Sequence, residues 1–185
     1  MENRPWLRPW EATNPGGPMS FDVRASIRSL QAGARAGSTI PYVLEYDGVI
    51  AGQLNVSSIG YGSLSSAAIG YWVTESMAGH GITPTAVALA TDYCMRVVGL
   101  HRIEICIRPE NAPSLRIVEK LGFRYEGLRR RYIHINGGWR DHFTFALTSE
   151  ELPYGLLERW KSGKTPVGNA AIPEADQEAA RTHPV

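Results

Sequence analysis

Residues 67–83 read AAIGYWVTESMAGHGIT, and this stretch decides the architecture. Its first half, 67–74, has the aromatic and β-branched content of a buried strand. Its second half is a turn holding Gly79-His80-Gly81, followed by an Ala/Val/Leu-rich helix expected over about 83–98 and stopped by Gly99. Glycines lack a Cβ, so consecutive backbone N–H groups in such a turn can converge on an anion, and the helix start behind them adds about half a positive charge. The stretch therefore reads as strand, pyrophosphate cradle, helix. It is neither a P-loop, since no GK[ST] follows, nor a dinucleotide fingerprint, since the third glycine and the downstream acid are missing. A lone GxG fits a plain turn equally well. The position between strand and helix favours the cradle.

Working outward, PYVLEY, Asp47-Gly48 and VIAGQLNVSSI form a strand, tight turn and strand upstream, so three antiparallel strands are expected with 67–74. Before them, 20–36 reads as a helix that Ser20 could cap, with Gly33 and Gly37 weakening its end. Downstream, HRIEICIR over 101–108 is a strand, and Asn111 can cap a short helix with Pro113 in its first turn, Leu115, Val118 and Leu121 facing inward and Gly122 closing it. Residues 124–135 and 139–147 make a second hairpin about Asn136-Gly137-Gly138, after which Thr148 or Ser149 can cap a last helix ending near Lys161. From Ser162 the chain has little apolar content, so 1–161 is expected as one domain and 162–185 as a disordered tail.

The chain has 185 residues, enough for one domain with a sizeable core. Its 43% hydrophobic and 20% charged residues are ordinary for a globular protein, and no apolar run approaches the ~20 residues that cross a bilayer. Pro5, Trp6, Pro9 and Trp10 occupy the place where a secretory signal needs an apolar stretch, so a cytoplasmic protein is expected, with no membrane partner. A net charge of +1 supplies no general field for nucleic acid, and none is expected as a direct partner. Cys94 and Cys106 lack CxxC spacing and a neighbouring histidine pair, so no metal site is expected and both read as reduced core thiols.

Four segments together resemble the GNAT superfamily, and within it the ribosomal-protein N-terminal acetyltransferases of the RimJ/RimL type. They are PWLRPWEAT at 5–13, IGYWVTESMAGHGITPTAV at 69–87, HRIEICIRPENAPSLRIVEKLGFRYEG at 101–127 and GGWRDHFTFAL at 137–147. The resemblance implies an α/β (α+β) GNAT fold, a mixed and mostly antiparallel sheet splayed at its centre and flanked by helices. Acetyl-CoA would be the co-substrate. Strand 67–74 would splay from strand 101–108, with pantetheine pairing to the backbone at Trp72 and Val73. The Val73 N–H would stabilise the oxyanion of the transfer. Gly79, His80, Gly81, Ile82 and Thr83 would bind pyrophosphate through their amides, and Asn111 would hold pantetheine. The family's usual Gln or Arg three positions before the first glycine is Ser76 here. Many members use a tyrosine as general acid at the position of Val118, and valine has no proton to give. In the RimJ/RimL branch the hydroxyl of Ser114 is the expected substitute.

Alternation along RIEICI places Glu104 on the strand face of Cys106, opposite Ile103 and Ile105. There it is either a general base working through water or one half of a strand-to-strand ion pair. His134 and His142 are alternative bases, while Tyr71, Tyr125 and Tyr132 read as packing. Asn111 and Ser114, judged alone, also read as a helix cap and a first-turn residue. The resemblance also implies a first strand and helix preceding PWL, and the chain opening there is expected to begin at an internal methionine and to expose apolar surface at its sheet edge. The acceptor expected first is a protein N-terminus, with a ribosomal protein in view; a small amine and a non-catalytic acetyl-CoA-binding module are the alternatives. A monomer and a homodimer both remain open.

Overall fold

The structure is a computed structural model that describes residues 3–17 and 22–181. Two turns set its sheet. Asp47-Gly48 and Asn136-Gly137 each hold two successive residues in the left-handed region, with φ of 50° and 76° in the first and 47° and 87° in the second. This is the type I′ geometry, whose twist matches antiparallel strands. The first turn joins β1 (Ile40–Tyr46) to β2 (Val49–Gly60), and the second joins β5 (Arg124–Ile135) to β6 (Gly138–Thr148). Between them lie β3 (Ser66–Val73) and β4 (Arg102–Ile107). The six strands run in the order β1-β2-β3-β4-β6-β5, and only the central β3/β4 pair is parallel. The expected splayed GNAT sheet is thus present, with β1 as one edge carrying Val43 largely exposed, beside Ile50 of β2, which is exposed as well.

Helix α1 (Arg4–Leu7) is a single turn near the start, and α2 (Val23–Arg35) precedes β1. The Asp22 carboxylate caps α2 by accepting from the amides of Arg24 and Ala25 at 2.9 and 3.1 Å. The helix therefore begins after Asp22 rather than at 20, and Ser20 lies outside the described residues. Helix α3 (Ile82–Tyr93) continues as a wider π turn over Cys94–Val98 before Gly99 ends it at φ 79°. Helix α4 (Ala112–Leu121) follows β4. Val87 and Ala88 of α3 and Val118 and Leu121 of α4 bury against Leu54, Ile69, Ile103, Ile105, Phe143 and Phe145 of the sheet. That face is the core. Its periodicity in the helices and alternation in the strands are those the sequence displays.

The C-terminal third departs from expectation in two places. Thr148 and Glu151 form a capping box around one 3₁₀ turn, Ser149–Glu151, and the helix proper, α5 (Leu156–Ser162), starts only after Pro153 and Gly155. Proline disfavours helical backbone in the residue before it, so the turn cannot run on into the helix. The segment from Ser162, expected to be a disordered tail, instead packs along α4 and β5 and ends in α6 (Glu174–Arg181). The Tyr125 amide donates to Asn169 O at 2.8 Å, Thr165 Oγ1 donates to Lys120 O at 2.7 Å, and the Tyr125 hydroxyl donates to Asp176 Oδ2 at 2.7 Å. Ala170, Ile172 and Ala180 add the apolar contact. Few such residues suffice because the receiving surface is preformed. Among the described residues no helix is long and apolar enough to cross a membrane.

Candidate active site

The two central strands pair only at Ser66↔Arg102, Ala67↔Ile103 and Ala68↔Glu104. Beyond that point β3 stays with β2 as far as Val73↔Gly52, and β4 stays with β6 as far as Ile107↔Phe143. The strands therefore part after Ala68 and Glu104 and leave a gap that widens toward Val73. Thr74 N donates to Ala51 O at 2.7 Å. By the antiparallel alternation, Thr74 and Trp72 direct their backbone groups to β2 while Val73 and Tyr71 direct theirs into the gap. Val73 O meets Trp6 Nε1 there at 3.0 Å. Gly52 permits the close approach at this end, since a Cβ on it would lie 2.2 Å from Trp72 O.

From the wide end of β3 a 3₁₀ turn over Glu75–Met77 leads to the glycines. Gly79 and Gly81 have φ of 87° and 77°, a region that side chains disfavour, and a Cβ built on either meets nothing within 4 Å. Open space thus lies where these backbones turn. Gly81 is the N-cap of α3 and no side chain caps that helix, in contrast to Asp22 on α2 and Asn111 on α4. Its first amides are left to an external acceptor. The Thr83 side chain is buried and the His80 ring leans toward Tyr46 with centroids 6.4 Å apart, so both offer backbone to the cradle. The arrangement fits a pyrophosphate by its donors and by its empty space.

On the helix side of the gap, Asn111 Oδ1 accepts from Ser114 N at 3.2 Å, which starts α4. The buried Ser114 Oγ lies 2.7 Å from the Tyr71 hydroxyl of β3. Burial pushes the Tyr71 phenol up to about 12, against a smaller downward pull from Ser114. Val118 is fully buried in the core.

The other sheet face carries charge. Arg129 Nη2 donates to Glu104 Oε1 at 2.7 Å, and Arg102 Nη2 lies 3.5 Å from the same oxygen. Arg129 also donates to the Tyr132 hydroxyl at 3.0 Å and stands 4.9 Å from that ring's centroid. Tyr132 in turn packs edge-on to His142, whose ring centroid is 5.9 Å away. A β-bulge between Arg129 and Ile133, with Arg131 at φ 47°, brings these side chains together. His142 is 2% exposed, and burial lowers its pKa. With Nδ1 3.0 Å from Arg140 O, the neutral ring donates there and keeps Nε2 as its acceptor. The Cys106 thiol, raised by burial, lies 3.8 Å from Thr144 Oγ1 and from Arg129 Nη1.

The start of the chain crosses the wide end of the gap. Beyond the Trp6 contact, Arg108 donates to Pro9 O at 2.8 Å and lies 5.5 Å over the Trp10 ring, and Ala12 bridges to Ile135 of β5. A splayed parallel pair beside an uncapped, glycine-led helix is what the sequence resemblance implied. A family model, the acetyltransferase (GNAT) domain, matches residues 4–124. The chain belongs to the GNAT acetyltransferase family. Over 155 residues this acetyltransferase is 30% identical to the [ribosomal protein uS5]-alanine N-acetyltransferase of Escherichia coli, covering 81% of this chain and 79% of that one. It is 38% identical over 105 residues to the probable N-acetyltransferase YjcK of Bacillus subtilis, a match spanning 57% of this chain and only 58% of that relative. Among solved structures, Mycobacterium smegmatis RimJ in complex with CoA-disulfide superposes with a TM-score of 0.81 at 42% identity, covering 88% of this chain and 80% of that one.

The residues singled out in the acetyltransferase's sequence fall into two groups. Val73, Gly79, His80, Gly81, Ile82 and Thr83 line one track from the gap to the start of α3, and Asn111 and Ser114 face it from α4. Trp72 departs from the expectation, since its backbone groups are turned to β2 and not into the gap. Glu104 stands at the apex of the gap, in the ion pair that was its alternative reading. His134 is held by Thr13, its Nδ1 2.8 Å from Thr13 Oγ1, and so belongs to the N-terminal crossing. Sequence reasoning missed Tyr71, Trp6 and Arg108. Their roles depend on partners 43, 67 and 99 positions away, and no local pattern announces such pairs.

Proposed function

We propose that this enzyme transfers the acetyl group of acetyl-CoA to the N-terminal α-amino group of a protein, a ribosomal protein being the first acceptor to test, which places the reaction in the cytoplasm. The observation that carries the reading is the parting of β3 from β4 after Ala68, with the Val73 amide directed into the gap. Gly79, His80, Gly81, Ile82 and Thr83 hold the pyrophosphate through backbone donors. Val73 N–H and the Asn111 amide orient the pantetheine arm, and the Val73 donor faces the negative charge that develops on the carbonyl oxygen. Acetyl-CoA supplies the activated thioester when bound. Ser114 gives its hydroxyl proton to the departing sulfur. Glu104, at the apex, takes the proton of the incoming ammonium through water, and its Arg129 and Arg102 partners hold the carboxylate in place.

An α-amino group suits this site better than a polycation. Glu104 on β4 and Glu110 just past its end are each matched by an arginine, Arg129 and Arg108 respectively. A polyamine finds no surplus of negative charge here, whereas one ammonium on a peptide needs none. The measurement is thiol release with acetyl-CoA over peptides beginning with Ala or Ser, a polyamine and an aminoglycoside. Faster turnover of the peptides is expected. Preference for the small amines removes the protein acceptor, and no turnover with any acceptor leaves an acetyl-CoA-binding module. At a hundredfold excess over its Kd, acetyl-CoA should add about 2.7 kcal/mol to stability, roughly 5–11 °C in the midpoint. Gly81→Val should abolish that gain, and an undiminished shift in the variant would show that the loop does not hold the pyrophosphate.

A further inference from the structure

Val118 leaves α4 without a phenolic proton, yet a phenol does reach the gap, from the opposite wall. We infer that Tyr71 is a positioning residue for the transfer: its hydroxyl donates to Ser114 Oγ across the gap and turns the Ser114 proton toward the space between β3 and β4. The inference rests on the reading of Ser114 as proton donor.

Three observations support it. Tyr71 stands in the part of β3 that has left β4, so its 2.7 Å contact with Ser114 joins the two walls of the gap rather than two neighbours in a ladder. Ser114 is 9% exposed and Tyr71 is half-buried against the core, so solvent competes little for this pair. A phenol pushed up to about 12 stays protonated throughout the range in which amines react. It therefore always has a proton to donate. When Ser114 Oγ accepts from Tyr71, its own hydrogen must point elsewhere, and Asn111 is already occupied with the Ser114 backbone amide at 3.2 Å.

In the transfer, the Ser114 O–H bond breaks as the S–H bond of the leaving thiol forms. Serine regains a proton from the amine nitrogen, which has one to lose once bonded to the acetyl carbon. Tyr71 keeps its own proton. The phenol is thus needed for direction and not for charge.

The test is a double-mutant cycle of Tyr71→Phe and Ser114→Ala, with kcat, the midpoint without ligand and the acetyl-CoA-induced shift measured for each. Assays run well below each variant's own midpoint. Ser114→Ala should lower kcat about 100-fold and Tyr71→Phe about 5- to 10-fold, both with the acetyl-CoA shift retained. The double variant should be no slower than Ser114→Ala alone, because Tyr71 acts only through the serine. The double variant also keeps the cycle readable should Tyr71→Phe fold poorly, since removing both partners leaves no orphaned hydroxyl. Wild-type kcat in Tyr71→Phe, or losses that multiply in the double variant, overturns the inference while the role of Ser114 stands. Wild-type kcat in Ser114→Ala overturns both.

Discussion

At the scale of single residues, His142 shows how burial and protonation are coupled. Its folded pKa lies below the ordinary 6.5 because charging the ring would place a cation where water does not reach. The unfolded chain then binds a proton more readily than the folded one below about pH 6.5. Stability from this group is complete above that pH and is lost as pH falls through the lower folded value. The midpoint of the wild type should decline between pH 7 and pH 5.5, and His142→Gln should flatten that decline. Equal slopes in the two proteins would show that other groups set the acid limb. The same ring offers a second reading of the general base. If Glu104→Gln keeps a wild-type rate and pH profile, the amine loses its proton elsewhere, and His142 Nε2 is the next group on that face to test. At this scale the sequence announced residue types but not partners. Glu104 was placed on the right face by alternation alone, while its engagement with Arg129 depended on a bulge that no spacing rule predicts.

Among elements, caps decide where helices start, and the instructive one comes from a distant helix. The Asp92 carboxylate of α3 accepts from Leu156 N at 2.6 Å and Leu157 N at 3.0 Å, so one side chain caps α5 from outside. Gly155, the local N-cap at φ 96°, offers no side chain of its own. Asp92→Ala should cost about 1–2 kcal/mol and lower the midpoint by roughly 2–8 °C, as scanning calorimetry would read it. A variant as stable as the wild type would mean that water replaces the carboxylate at that helix start. Both hairpins were legible because Asp-Gly and Asn-Gly favour one turn geometry on their own. The start of α5 was not, because its capping group is 64 positions away.

For the whole molecule, the segment after Ser162 is part of the fold. Its three hydrogen bonds to α4 and β5, with the contacts of Ala170, Ile172 and Ala180, should contribute about 2–4 kcal/mol. Truncation after Gly163 should lower the thermal midpoint by several degrees, and an unchanged midpoint would show that the segment docks without stabilising. What the sequence determined by itself was whatever depends on neighbours in the chain: the hairpin turns, the inward faces of β4 and α4, and a glycine-led turn before α3 whose amides need an acceptor. Local sterics and periodicity act within a few residues, so they can be read from the string. Only the tertiary structure decided the parting of β3 from β4, the Tyr71–Ser114 contact across it, the arginines around Glu104, the crossing of the gap by the N-terminal segment and the docking of the last helix. These depend on surfaces that exist only once the core has formed, and a segment as polar as 162–181 becomes ordered because that surface supplies partners its own composition lacks.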